Sequence, residues 1–306
     1  GVSARLGVGD AFVVEADESD GSFLVYRPAV AVVTNVQPDH LDFYGTFEGV
    51  QTAYAEFVAS MPRGGLLVAC RDDDGSSVLA QDAAASGVRV LPYGFAEDAD
   101  LRVHSVKSTG LGSTARFVDQ DGVERTLHLA VPGRHNVLNG LAAPAACHAV
   151  GVDVATVLPA LAAFRSVKRR LEVIGQHDGI TVYDDFAHHP TAIHTTLEGL
   201  RARVGEARIL VAMEPRSNSM RLGAHADALA PSLDIADVVV FLHRPELAWD
   251  AGRIVAAIRG DARTVPDADA LIAALKTQAR PGDHVVFMSN GGFDGAPRRF
   301  LAALQG

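Results

Sequence analysis

The feature that most constrains this chain is a recurring unit, a short apolar run that ends in polar or charged residues and is followed by a segment of helical period. Ile180 to Asp185, Ile209 to Met213, Val238 to Leu242 and His284 to Met288 are such runs. Thr191 to Arg203 and Ala268 to Thr277 are helical patterns between them. Buried runs alternating with helices predict a mostly parallel sheet of the doubly wound α/β kind. The unit also occurs earlier. "DAFVVEA" and "AVAVVTNV" read as buried strands, "GGLLVAC" as another, and Thr46 to Met61 as a helix with Phe47, Val50, Tyr54, Phe57, Val58 and Met61 on one face. From about Leu101 to Val131 the period changes to alternation, and Asp121-Gly122 marks a hairpin, which predicts an antiparallel patch beside the first sheet. Helical patterns return at Asn136 to Val150 and Val154 to Phe164.

At 306 residues and 48% hydrophobic content the chain is long enough for two cores rather than one. The expected boundary lies at the basic "FRSVKRR", Phe164 to Arg170, giving domains 1–166 and 167–306, with a hinge near Ser166 to Lys168. A formal charge of -10, with 24 Arg and three Lys, disfavours phosphate-backbone attraction and therefore nucleic acid as a partner. Cations for an anionic ligand must instead be focused locally. Cys70 and Cys147 lie in apolar surroundings without CxxC spacing and read as reduced packing residues. No apolar run reaches the ~18–20 residues of a spanning helix, and the first residues lack a signal-peptide layout, so a cytoplasmic protein with no membrane partner is expected, as a monomer.

The polar residues gather where the apolar runs stop, which in such folds is where the ligand crevice opens. After "FVV" come Glu15, Asp17, Glu18 and Asp20. Glu15 and Asp17 point to one side of an extended chain, and one of them could hold a hard cation such as magnesium, which takes one or two carboxylates and completes its shell with water and phosphate oxygens. A solvated acidic loop is the alternative. After "AVAVV" come Thr34, Asn35, Asp39, His40 and Asp42; His40 reads either as a structural histidine or as a second ligand for metal or phosphate. "VPGRHNVLNG" places Arg134, His135, Asn136 and Asn139 at a helix start. Asn136 and Asn139 share a face, although simple capping would explain one of them. "TVYDDFAHHPTAI" ends in Asp184 and Asp185 and continues to His188, His189 and Pro190, the proline suiting a first helical turn. Two adjacent histidines rarely chelate one metal from one face, which weakens a dinuclear hydrolase without removing it. "MEPRSNSMR" offers Arg216 as a fork for a carboxylate and Asn218 as an amide for an ammonium end.

"EADESD", "TNVQPDHLD", "PGRHNVLNG", "VKRRLEV" and "YDDFAHHPTA", in this order and spacing, resemble the Mur ligases of peptidoglycan synthesis. "DDFAHHPTAI", "EPRSNSM" and "MSNGGFDG" resemble in particular the Mpl-type recycling branch, with the L-alanine-adding branch as the near alternative. The resemblance implies a central ATPase domain, here without its phosphate-loop part, followed by a Rossmann-like C-terminal domain. It also implies an ATP- and Mg2+-dependent reaction in which UDP-N-acetylmuramate is activated as an acyl phosphate and joined to the tripeptide L-alanyl-γ-D-glutamyl-meso-diaminopimelate. On the same basis Glu15 and His40 are expected at the metal, His135, Asn136 and Asn139 at the nucleotide, Arg170 and Asp185 closing over ATP, and His189 near the transferred groups. Arg216 and Asn218 are assigned to the peptide on their chemistry alone.

The family's Gly-Lys-Thr or Gly-Lys-Ser phosphate loop has no counterpart here, since none of Lys107, Lys168 and Lys276 follows a glycine. A UDP-sugar-binding N-terminal domain is also missing, and the first lysine after the His40 motif, Lys107, falls inside the expected hairpin region, so the carbamoylated metal ligand of some relatives has no counterpart. The chain therefore reads as roughly the last two thirds of a ligase, with the expectation that these 306 residues do not complete the reaction alone. A non-catalytic peptide- or nucleotide-binding module is the other reading.

Overall fold

The apolar runs of the second half form one sheet. In the computed structural model, which describes residues 4–109, 112–223, 225–245, 247 and 249–306, the strands of this half are β7 (Glu172–His177), β8 (Ile180–Asp185), β9 (Ile209–Met213), β10 (Val238–Leu242), β11 (Asp261–Val265) and β12 (His284–Met288). The order across the sheet is β11-β10-β9-β12-β8-β7. β8 to β12 pair in parallel, with Val286 beside both Val211 and Tyr183, and β7 closes one edge antiparallel to β8.

Residues alternate between the two faces of the strands, and each face has its own core. Val211, Met213, Val239, Phe241, Val286 and Met288 meet Ile193, Leu197 and Leu200 of the helix Pro190–Val204. Leu210, Ala212, Val240, Val285 and Phe287 meet Leu271 and Leu275 of the helix Ala268–Gln278 and Phe300 of the helix Ala296–Gln305. Burial on both faces explains why these runs are apolar without alternation. The helices start where the sequence supplies caps: Asp267 accepts the Ala270 N–H at 2.8 Å, and Pro190 occupies the first turn.

The first sheet has the order β1-β2-β3-β4-β5-β6, with β1 (Val30–Val33), β2 (Leu66–Cys70), β3 (Arg89–Gly94), β4 (Leu101–Thr109), β5 (Gly112–Val118) and β6 (Glu124–Leu129). β1 to β4 pair in parallel. β5 and β6 are joined through a tight turn in which Gly122 N–H donates to the Asp119 carbonyl at 2.9 Å, with Gly122 in the left-handed region at φ 76°. This is the antiparallel patch expected from Asp121-Gly122. The expected helix at 46–61 is Phe47–Ala59, capped by Thr46, and its Val50, Phe57 and Val58 pack with Phe23, Val33, Leu67 and Ala69. The expected helices from 136 and 154 are Arg134–Ala149 and Val154–Ala163.

One expected strand does not form. "DAFVVEA" has no regular secondary structure, and Phe12 and Val13 are 89% and 90% exposed. The strand order ends at β1, so this run lies outside the sheet. An apolar run becomes a strand only against a neighbouring edge that fixes its pleat and buries one face.

By contact density the chain divides into two compact units. One comprises 1–103, 118–124 and 141–159, and the other 104–117, 125–140 and 160–306. Among the described residues no helix is long and apolar enough to cross a membrane.

Candidate functional site

In the first unit the acidic stretch after "FVV" folds back on the loop after β1. The His40 Nε2 lies 3.4 Å from Glu18 Oε1 and 3.8 Å from Asp39 Oδ2, and the Tyr44 hydroxyl donates to the Glu18 carbonyl. His40 is left-handed at φ 52°, and its N–H donates to Asp39 Oδ1 at 2.8 Å. The hydrogen bond to Glu18 raises the His40 pKa; burial opposes this, and the charges of Asp39, Glu18 and Asp42 add to it. Glu18, a residue to which the sequence assigns no role of its own, is thus the carboxylate that meets His40, whereas Glu15 lies exposed in irregular chain. Among the described residues no three His, Cys, Asp or Glu side chains converge on one point. What this unit offers a hard cation is one or two carboxylates, which is the protein share magnesium typically takes. The Nε2 of His40 faces carboxylates instead of an open position.

In the second unit the chemistry lies along the carboxyl ends of β10, β9, β12 and β8. Asp185, buried at the end of β8, accepts the Leu171 N–H at 2.6 Å and the Ala187 N–H at 2.7 Å, and its carbonyl accepts the Ser289 N–H at 3.1 Å. Burial pushes its carboxyl pKa up, against the pull of the two amides and of Arg170. Asp185 therefore acts here as a clamp whose two oxygens both serve the backbone.

Of the adjacent arginines, Arg169 is bound inward. Its Nη2 donates to the Ser289 carbonyl at 2.5 Å and the Gly291 carbonyl at 2.7 Å, and its Nε reaches Asp184 at 3.4 Å. Arg170 stays exposed, its guanidinium 5.4 Å from the centre of the Phe186 ring. The sequence singles out Arg170 by its motif; the structure gives Arg169 the structural work and leaves Arg170 open to a ligand.

Beside them stands a carboxylate of the "MEPRSNSMR" stretch to which the sequence assigns no role. Glu214, at the end of β9 and 1% exposed, receives the Arg244 Nε at 3.1 Å and Nη2 at 2.8 Å on Oε1, and the Ser289 hydroxyl at 2.6 Å on Oε2. Arg244 also donates to Asp294 at 2.7 Å. Arg216 approaches the same Oε1 only to 3.8 Å and keeps 53% of its side chain exposed. It lies across Gly291, where a Cβ would stand 2.1 Å from Arg216 Cδ, so the close approach requires glycine. Asn218 opens the short helix Asn218–Arg221 and is exposed. Arg244 was missed because a lone arginine after "VVVFLH" belongs to no motif. Its one available signal was its place two residues past the end of a buried strand.

The residues expected at the nucleotide lie at the start of the helix Arg134–Ala149. Asn136 Nδ2 donates to the Pro132 carbonyl at 2.7 Å, which gives it a local structural bond, while Asn139 is exposed. Burial lowers the His135 pKa, with Glu198 opposing and Arg170 reinforcing the shift. His189 caps the helix Pro190–Val204, its Nδ1 accepting the Thr191 N–H at 3.2 Å, and its ring stands edge-on to His225 at 4.6 Å.

A doubly wound sheet whose carboxyl edge gathers Arg169, Asp184, Asp185, Glu214, Arg216, Arg244 and Ser289 is the α/β type in which ligands bind at the carboxyl ends of the strands. Residues 7–147 match the Mur ligase middle domain and residues 169–291 the Mur ligase glutamate ligase domain. The chain belongs to the Mur ligase family. It is 41% identical to the UDP-N-acetylmuramate–L-alanine ligase of Mycobacterium sp. (strain JLS), over 100% of this chain and 65% of that protein. It is similar to the crystal structure of the UDP-N-acetylmuramate-alanine ligase of Thermotoga maritima, with 25% identity and a TM-score of 0.74 over 95% of this chain and 63% of that one. It is also similar to the murein peptide ligase of Psychrobacter arcticus, with 34% identity and a TM-score of 0.66 over 92% of this chain and 59% of that one. The chain thus spans a little less than two thirds of these relatives' lengths. The L-alanine ligase names of the curated relatives favour the near alternative of the sequence reading over its recycling-branch expectation.

Proposed function

We propose that this chain supplies the middle and acceptor-binding parts of an ATP-dependent ligase that joins the carboxylate of UDP-N-acetylmuramate to the amine of L-alanine. The observation that carries this reading is the 41% identity to an L-alanine ligase along the whole of the chain. In the reaction the muramate carboxylate takes the terminal phosphoryl group of ATP and releases ADP. The amine nitrogen then attacks the acyl carbon, phosphate leaves, and the nitrogen gives up a proton as the amide forms. Magnesium would supply charge neutralisation at the phosphates, with Glu15 and the His40 loop as the side chains offered to it. Of the chain's own groups, Arg170, His135 and Asn139 face the nucleotide, His189 stands near the transferred groups, Asp185 fixes the turn that presents Arg170, and Arg216 receives the amine substrate's carboxylate, with Asn218 offering its amide to the ammonium end.

A second reading keeps the reaction and replaces L-alanine with the tripeptide. It is favoured by the higher identity to the murein peptide ligase structure, 34% against 25%, and by an arginine fork with a neighbouring amide, which suits a peptide end. Phosphate release from ATP, magnesium and UDP-N-acetylmuramate separates the two, with L-alanine or the tripeptide as the amine, on the 306-residue chain and on the same chain fused to the preceding third of a full-length relative. Release dependent on L-alanine supports the first reading and release dependent on the tripeptide the second. Silence from both forms overturns both in favour of a binding module, and amine-independent hydrolysis without ATP points to a metal hydrolase.

A further inference from the structure

Glu214 and Arg216 both stand at the end of β9, with opposite charges and one residue between them, yet they do not form a close pair. A carboxylate 1% exposed would be expected to draw in any nearby guanidinium, because a buried charge without partners is strongly destabilising. Here that demand is already met. Oε1 receives two bonds from Arg244, at 3.1 and 2.8 Å, and Oε2 receives the Ser289 hydroxyl at 2.6 Å. Ser289 is itself fixed, since its Oγ accepts the Gly291 N–H at 3.0 Å. Arg244 is anchored on its other side by Asp294 at 2.7 Å. The pairing thus links the ends of β10, β9 and β12 and leaves Arg216 at 3.8 Å from Glu214, more than half exposed, over the bare backbone of Gly291.

We propose that Arg244 is a positioning residue: by saturating Glu214 it keeps the Arg216 guanidinium free to take the carboxylate of the amine substrate. This rests on the reading that Arg216 receives that carboxylate. An arginine fork that is held open can form two parallel bonds to a carboxylate, whereas one already paired with a neighbouring acid must first exchange partners. Arg244 makes no contact with substrate in this scheme. It acts through Glu214, and removing it frees a buried anion that recruits Arg216.

The test is equilibrium binding of L-alanine and of the tripeptide to the 306-residue chain, each beside the analogue whose C-terminal carboxylate is a carboxamide. The wild-type chain is expected to prefer carboxylate over carboxamide by about tenfold or more, and Arg216→Ala to lose that preference. Arg244→Ala should lose it too, although Arg216 is still present. The double variant Arg244→Ala with Glu214→Gln should regain most of it, because a neutral amide at 214 no longer captures Arg216. A purely structural role for Arg244 predicts the opposite order, the double variant being no better than the single one, and that result overturns the assignment. Full carboxylate preference in a folded Arg244→Ala chain overturns it as well. If the wild-type chain shows no preference, or Arg216→Ala keeps it, the reading of Arg216 fails and the assignment falls with it. Thermal unfolding of each variant separates lost selectivity from lost fold.

Discussion

The carboxylate of Asp185 accepts the Leu171 backbone N–H at 2.6 Å and so ties the turn after the basic cluster to the end of β8. That turn is strained: Arg169 and Leu171 are non-glycine residues at φ 57° and 48°. With the second oxygen committed to Ala187, Asp185→Ala would leave two backbone amides without their acceptor. The expected loss is about 2–5 kcal/mol, and Asp185→Asn, which keeps one acceptor, should lose about 1–3 kcal/mol. Urea denaturation followed by circular dichroism reads both. Burial raises the folded-state pKa of Asp185 above its ordinary value of 3.8, so its contribution is most favourable below that value and falls as pH rises through the folded-state pKa. Asp185→Asn should remove this slope. A loss under ~0.5 kcal/mol for Asp185→Ala would mean that the turn is held by other contacts.

Arg169 and Arg170 should separate cleanly. Arg169 donates to the Ser289 and Gly291 carbonyls from a half-buried position, so Arg169→Ala should cost about 1.5–3 kcal/mol of stability. Arg170 is exposed, and Arg170→Ala should change stability by less than ~0.5 kcal/mol while weakening nucleotide binding if it faces the phosphates. Unfolding midpoints and nucleotide titrations of the two variants check this, and the reverse pattern would exchange the two roles.

The contrast between these arginines marks how far the sequence could be read. β8, β9, β10 and β12 were legible to the residue because strands buried on both faces must be continuous apolar runs, and the helix Phe47–Ala59 was legible because Thr46 caps it and its apolar residues share one face. β7 and β11 were not, because Glu172–His177 and Asp261–Val265 are edge strands with polar, partly exposed residues. "DAFVVEA" misled for the opposite reason, having the composition of a strand but standing exposed and outside the strand order of the sheet. Within the site, motif order brought forward Asp185 and His40, and residue chemistry Arg216. The partners that decide how each is used, Leu171, Glu18 and Arg244, are set by long-range packing that no local pattern records.

Gly291 offers a local check on the acceptor edge. A Cβ there would stand 2.1 Å from Arg216 Cδ and 2.6 Å from its Nε, so Gly291→Ala must displace the arginine. Arg216 is a flexible and exposed side chain, so the stability cost should stay below ~1 kcal/mol, while affinity for the carboxylate-bearing amine should fall about as far as in Arg216→Ala. Comparing the two variants by titration with the amine checks this. Unchanged affinity in Gly291→Ala would show that Arg216 works equally well away from Gly291.

His40 carries a charge-dependent contact in the first unit. The hydrogen bond that His40 donates to Glu18 raises its folded-state pKa above the ordinary value of 6.5, with Asp39 and Asp42 adding to the shift and burial opposing it. Because the folded-state value is the higher one, the stability gained from this pairing is fully present below pH ~6.5 and is lost as pH rises through the folded-state pKa. Glu18→Gln removes the largest cause of the shift. The His40 ring-proton resonance should therefore titrate at a lower pH in Glu18→Gln than in the wild-type chain, and stability should decline less on the alkaline side of neutrality. An unchanged midpoint would mean that Asp39 and Asp42 carry the shift, and it would release Glu18 for another role at the loop.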